Sequence, residues 1–159
     1  MTVKELSQLY YLNREIEMDQ KRLQRIEAEL ADLTDEEEEI VSLSSPSFTG
    51  MPRGSSNANK LERAAEDLWE LHRSIQLKKA LLEEITATIR RKQAQCFVEQ
   101  AKLERYIATL PNSLLRMIFT YRFINGLPWA QVSECIGMDT TEDSVKKRCY
   151  NFLKGKTDA

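Results

Sequence analysis

Glycine, proline, cysteine, histidine and aromatic residues are all scarce in this chain of 159 residues. Five Gly and four Pro leave little material for the turns that a sheet-rich fold needs. The three cysteines, Cys96, Cys135 and Cys149, are too few and too far apart for a disulfide framework or a zinc site. Each falls on a predicted apolar helix face, where a reduced thiol behaves as a small hydrophobe, so a reducing compartment is expected. The single histidine, His72, has no Cys, Asp or Glu at ligand spacing and is expected on the surface or at a seam edge. Long apolar runs are missing as well. No stretch approaches the ~20 residues that span a bilayer, and no secretory-type run follows Met1. A cytoplasmic protein without a membrane partner is the expectation.

A strong charge of either sign is also lacking, the formal net charge being −2. The distribution is uneven, however: residues 111–159 hold seven Lys/Arg against five Asp/Glu. Such a balance permits a nucleic-acid partner without demanding one. Reactive constellations are absent too. There is no nucleophile–base pair, no ligand cluster and no phosphate cradle, so no enzyme activity, cofactor or metal is expected. The carboxylates Glu36–Glu39 lack the spacing and glycine of a calcium loop and read as a solvated helix turn. Gly50-x-x-x-Gly54 lacks the spacing, the following Lys and the preceding strand of a phosphate loop.

What the chain has in quantity is charge (30%) and strong helix formers, which points to an all-α fold with long helices. Residues 3 to about 33 predict a first helix. Leu9, Ile16, Leu23 and Leu30 recur every seven residues, and Leu12, Ile26 and Leu33 follow members of that series by three. These are a and d positions of a heptad, broken once at Asp19. Thr34 with Glu37 fits a capping box that would start a new helix. Alternatively the helix continues, since Ile40 keeps the register. Residues 42–59, rich in Ser, Gly, Pro and Asn, predict a linker. Phe48, Met51 and Arg53 stand out within it. Either the loop is mobile, or Phe48 and Met51 pin it to a helix and leave Arg53 exposed for a partner or for the chain's own C-terminal head.

Residues 60 to about 108 predict the longest helix, a rod of roughly 70–75 Å if straight. Leu61, Leu68, Ile75, Leu82, Ile89, Cys96, Leu103 and Leu110 fall seven apart without a miss. The d positions are mixed: Ala64, Leu71 and Ile85 fit, Lys78, Lys92 and Glu99 do not. Trp69 is expected beside the seam. So long a helix needs a partner surface, either the first helix folded back antiparallel or a second copy. A homodimer is the favoured assembly.

Pro111 ends the rod. Asn112 or Ser113 caps a core helix that is apolar on more than one face, through Leu114, Leu115, Ile118, Phe119, Tyr121 and Phe123. Asn125-Gly126 stops it. Pro128 opens a short helix at its first position. Gly137 ends that helix, and Thr140 or Thr141 caps a last, basic one. Its Val145, Cys149 and Phe152 are expected to bury, leaving Ser144, Lys146, Lys147, Tyr150 and Asn151 outward or lateral. This order is the rhythm of a helix-turn-helix, whose second helix reads the major groove of DNA. The domains are drawn as a helical coiled-coil region over 1–110, with the loop at 42–59, and a helix-turn-helix head over 111–159.

Leu110-Pro111, Leu115-x-x-Ile118-x-x-x-x-Arg122-x-x-x-Gly126, Trp129-x-x-Val132-x-x-x-Ile136-Gly137 and Val145-Lys146-Lys147-Arg148 resemble region four of bacterial sigma factors. Tyr11-Leu12-Asn13-Arg14-Glu15-Ile16 and Thr49-Gly50-Met51-Pro52-Arg53-Gly54 extend the resemblance over nearly the whole chain, to small sigma-like regulators of Gram-positive phages and prophages. The resemblance implies a transcription regulator of late or packaging genes, with double-stranded DNA as partner and RNA polymerase as a further contact. Carried over by position, Thr141, Ser144, Lys146, Lys147, Arg148, Tyr150 and Asn151 would face DNA. The turn from Gly137 to Val145 is longer than the family's, and no −10-reading domain is present. Two other readings stay open: a small-terminase-like recogniser of packaged DNA, and a coiled-coil adaptor whose head binds protein.

Overall fold

A computed structural model describes residues 1–44 and 56–155, and among these every regular element is helical, with no strand. The order is α1 (Val3–Leu6), α2 (Gln8–Ser44), α3 (Ser56–Ala108), α4 (Ser113–Phe119), α5 (Trp129–Ile136) and α6 (Glu142–Leu153). A π-helical turn, Thr120–Ile124, continues α4 directly. No helix among the described residues is long and apolar enough to cross a membrane. Phe48, Met51 and Arg53 lie outside the described residues.

The N-terminus starts on a reciprocal cap. The Thr2 hydroxyl accepts from the Glu5 amide at 3.3 Å, and the Glu5 carboxylate accepts from the Thr2 amide at 2.7 Å. That backbone hydrogen bond, with one from the Thr2 hydroxyl, holds the Glu5 carboxyl below its usual range. A second such start at Thr34 does not form. There the Thr34 hydroxyl donates to the Leu30 carbonyl at 2.8 Å, inside a helix that carries on to Ser44. The seam register is the reason, since Leu33 and Ile40 both remain half-buried. Both margins of the predicted 42–59 linker are accordingly helical, at residues 42–44 and 56–59.

The chain divides into two compact units, one comprising Met1–Met18 with the chain from Arg90 onward, the other Asp19–Ile89. In the second unit Ile26, Ile75, Ile85 and Ile89 are buried, and Leu23, Leu30, Leu33, Leu68, Leu71 and Leu82 are half-buried. These are largely the heptad positions. Lys78, a misfit by hydrophobicity, reaches Glu29 at 2.6 Å, and His72 reaches Glu37 at 3.1 Å. Partner numbers fall on one helix as they rise on the other, so α2 and α3 run antiparallel within this unit. Lys78 holds the Glu29 carboxyl below the usual range, by hydrogen bond first and charge second. Position 61 leaves the seam early, with Leu61 66% exposed. Trp69 does not pack beside it either: the ring is 64% exposed, with the Arg73 guanidinium 5.7 Å above it.

The first unit is thicker. The division drawn at residue 110 falls inside it, because Leu6, Leu9, Leu103, Ile107 and Leu110 share a core with Ile118, Phe119, Phe123, Trp129, Val132, Val145 and Cys149. Phe119 is the hub. Its ring lies 5.3 Å from Phe123, 6.0 Å from Phe152 and 6.3 Å from Tyr106. Here too a polar d position finds a partner across the helices, Lys92 meeting Glu15 at 3.3 Å. Cys96 is half-buried and Cys149 fully buried, as expected, but Cys135 is exposed. It lies off the face of α5 that carries the buried Trp129 and Val132.

Candidate nucleic-acid interface

The C-terminal helices are positioned from α3 outward by polar contacts at each corner. The Asn112 side chain accepts from the Leu114 amide at 2.8 Å and starts α4. Arg116 then ties the corner. Its guanidinium donates to the Leu110 carbonyl at 2.6 Å and to the Ser113 hydroxyl at 2.8 Å, satisfying a carbonyl left over at the end of α3. In the π-helical turn the Asn125 amide bonds the Thr120 carbonyl, five residues back, at 3.0 Å. Gly126, at φ +68°, follows. Arg122 leaves this turn and donates to the Leu127 carbonyl at 2.9 Å, while its guanidinium stacks 4.8 Å over Trp129. The Trp129 ring in turn lies 6.0 Å from Tyr150 of α6. Pro128 is the cap residue of α5, not its first helical residue, so Trp129 takes that place and is 8% exposed.

Between α5 and α6 three consecutive residues have left-handed backbone: Gly137 at +68°, Met138 at +58° and Asp139 at +56°. A Cβ on Gly137 would meet nothing within 4 Å, so it is the backbone angle, not space, that favours glycine. For Met138 the same angle is disfavoured, and its side chain is 95% exposed. The Thr140 hydroxyl donates back to the Gly137 carbonyl. Thr141 is the cap of α6, its hydroxyl accepting from the Ser144 amide at 3.3 Å.

α6 presents two faces. Val145 and Cys149 are fully buried and Phe152 is half-buried against Phe119. Burial pushes the Cys149 thiol up to about 12, against a smaller opposing pull from Arg122. Lys146, Lys147 and Arg148 are exposed, and Ser144, Tyr150 and Asn151 are half-buried. At about 100° per residue, Lys146 and Lys147 share the outer side with Tyr150 one turn later, while Arg148 falls on the far flank. The seven positions singled out from the sequence therefore do not make one patch. Thr141 is engaged as a cap and Tyr150 against Trp129. Two features went unread in the sequence. Glu142 and Asp143 occupy the first turn of α6, one turn before Lys146 and Lys147 on the same side, and dilute their charge. Arg122 is tied into the head by Trp129, although only its spacing in the sequence hinted at a role.

Among the described residues no group of three or more His, Cys, Asp or Glu converges to hold a metal ion. Comparison of the chain with protein-family models, curated proteins and solved structures gives no match.

Proposed function

We propose that this chain is a sequence-specific DNA-binding regulator of the sigma-like phage type, with α5 and α6 as a helix-turn-helix and α6 as the helix that enters the major groove. One observation carries the reading. α6 is a capped helix of twelve residues whose inner side is fixed in a core by Val145 and Cys149 and whose outer side offers Lys146 and Lys147. A rigid helix with outward cations is what groove entry and phosphate contact require. The resemblance supplies the transcriptional role, with late or packaging genes as targets and RNA polymerase as a further contact. Homodimerisation belongs to the same proposal. A dimer seam would lie outside the apolar positions that α2 and α3 bury against each other within each unit.

The test is binding of duplex DNA by fluorescence anisotropy across a salt series, followed by enrichment of bound fragments from the source genome. Lys146→Ala and Lys147→Ala each weaken binding and lower the salt slope by about one unit if each meets a phosphate. Unchanged affinity in both variants takes α6 out of the groove. One observation favours a second reading, the protein-binding adaptor: the acidic pair Glu142 and Asp143 at the start of α6. Absence of any enriched DNA fragment selects that reading. A ring of many subunits in solution selects the packaging reading instead.

A further inference from the structure

Within the first unit, the start of α2 and the segment around the π-helical turn enclose a cleft of about 300 Å³. Tyr10, Tyr11 and Arg14 line it from α2, and Arg122, Gly126 and Pro128 line it from the other side. We infer that this cleft is a binding site for a phosphate group.

The reasons are the chemistry of its walls and how they are held. Two guanidiniums from different helices border one concavity, and each is fixed by contacts of its own. Arg14 donates to the Tyr10 hydroxyl at 3.3 Å and lies 5.4 Å from the centre of that ring. Arg122 is held by the Leu127 carbonyl and the Trp129 face. Side chains held this way lose little freedom when an anion arrives, and the planar fork of arginine matches phosphate oxygens in pairs. The lining includes no carboxylate. The nearest recorded one, Glu17, is bonded to Arg14 at 3.1 Å and exposed, so an incoming anion competes with a solvated ion pair. Gly126 keeps the floor low: a Cβ there would stand 3.5 Å from the Tyr10 ring. The volume is at the small end of ligand sites and suits one phosphate with its sugar, with the Tyr11 ring, 59% exposed, beside it.

Such a group has two sources, the backbone of a nucleic acid or a free nucleotide. Continuity favours the backbone. Arg122, Trp129 and Tyr150 form an unbroken stack from the cleft to α6, and Lys146 lies one turn before Tyr150. This choice of source rests on the DNA-binding reading; the phosphate site itself does not.

The experiment uses the full chain, with Arg14→Gln, Glu17→Gln and Lys146→Ala. Duplex DNA is titrated by anisotropy, and AMP and pyrophosphate by calorimetry. With a backbone source, Arg14→Gln weakens duplex binding about tenfold and lowers the salt slope by about one unit. Glu17→Gln tightens it, which a merely structural Arg14–Glu17 pair would not do. With a free source, duplex binding ignores Arg14→Gln, but AMP or pyrophosphate binds the parent chain and not the variant. If Lys146→Ala and the parent chain both fail to bind duplex while AMP binding depends on Arg14, the DNA reading fails and the cleft stands. If no probe distinguishes Arg14→Gln from the parent chain, the phosphate site is overturned.

Discussion

The two compact units draw on the same pair of long helices but bury them to different depths. In the Met1–Met18 and post-Arg90 unit, Phe119, Leu6, Leu103, Ile118, Val132, Val145 and Cys149 are all but inaccessible to solvent. In the Asp19–Ile89 unit the seam is closed by partly covered leucines, and Leu61, Trp69 and Leu77 stand more than 60% exposed. Two helices can shield only a stripe of each other, whereas α4, α5 and α6 add further layers around the same helices. The exposed residues Leu61, Trp69 and Leu77 recur every eight, which advances about 80° each time around a helix. They wind round α3 and do not make a second seam.

The sharpest way to break this comparison is truncation at matched positions. Phe119→Ala is expected to cost about 3–5 kcal/mol in urea unfolding, while Ile26→Ala in the two-helix unit costs about 2 kcal/mol because its surroundings can close on the gap. Equal losses would mean that the two cores are equally packed. Alkali probes the deeper core next. The Cys149 thiol, ordinarily near 9, is raised to about 12, so the folded chain keeps a proton that the unfolded chain gives up. Stability is therefore full below about pH 9 and falls as pH rises towards 12. Thermal melts of the parent chain and of Cys149→Ala measure this, and the fall should be shallower in the variant. Alkylation at pH 8 sorts the same thiols, with Cys135 labelling first, Cys96 more slowly and Cys149 only on unfolding. Thr141→Ala removes the cap of α6 and costs about 1 kcal/mol. The smallest effect is expected at the surface of the thinner unit. The Glu29–Lys78 pair holds the Glu29 carboxyl low, so its contribution is present above 4.5 and is lost as pH falls below that. Glu29→Gln should shift the melting temperature only slightly, and high salt should remove the difference.

Periodicity carried much of the fold into view. A seven-residue repeat fixes which side of a helix is apolar, and Ile75, Ile89 and Leu103 are buried as that repeat requires. It does not say what lies opposite. Lys78 therefore read as a defect of the seam, because its partner Glu29 is 49 residues away in the chain. Trp69 read as a seam residue for the same reason: an apolar ring near a buried side need not have a neighbour to cover it. At the candidate interface, Thr141 and the inner residues Val145 and Cys149 were legible from capping and spacing. The left-handed run through Met138 and Asp139 was not, since neither residue signals that backbone as Gly137 does. The cleft between Arg14 and Arg122 joins residues more than a hundred positions apart, and no local pattern points to it.

The π-helical turn at Thr120–Ile124 holds one more residue than an α-helical turn of the same hydrogen-bonded span. It thus acts like a spacer in a gear train. Deleting one residue there would let α4 continue in ordinary geometry and rotate whatever follows by about 100° relative to Phe119. Helix content would hardly change, so circular dichroism would look normal. Yet Arg122 would lose its place over Trp129, and α6 would no longer meet the core along Val145 and Cys149. A single codon in this turn therefore sets the phase between the long helices and everything downstream of them.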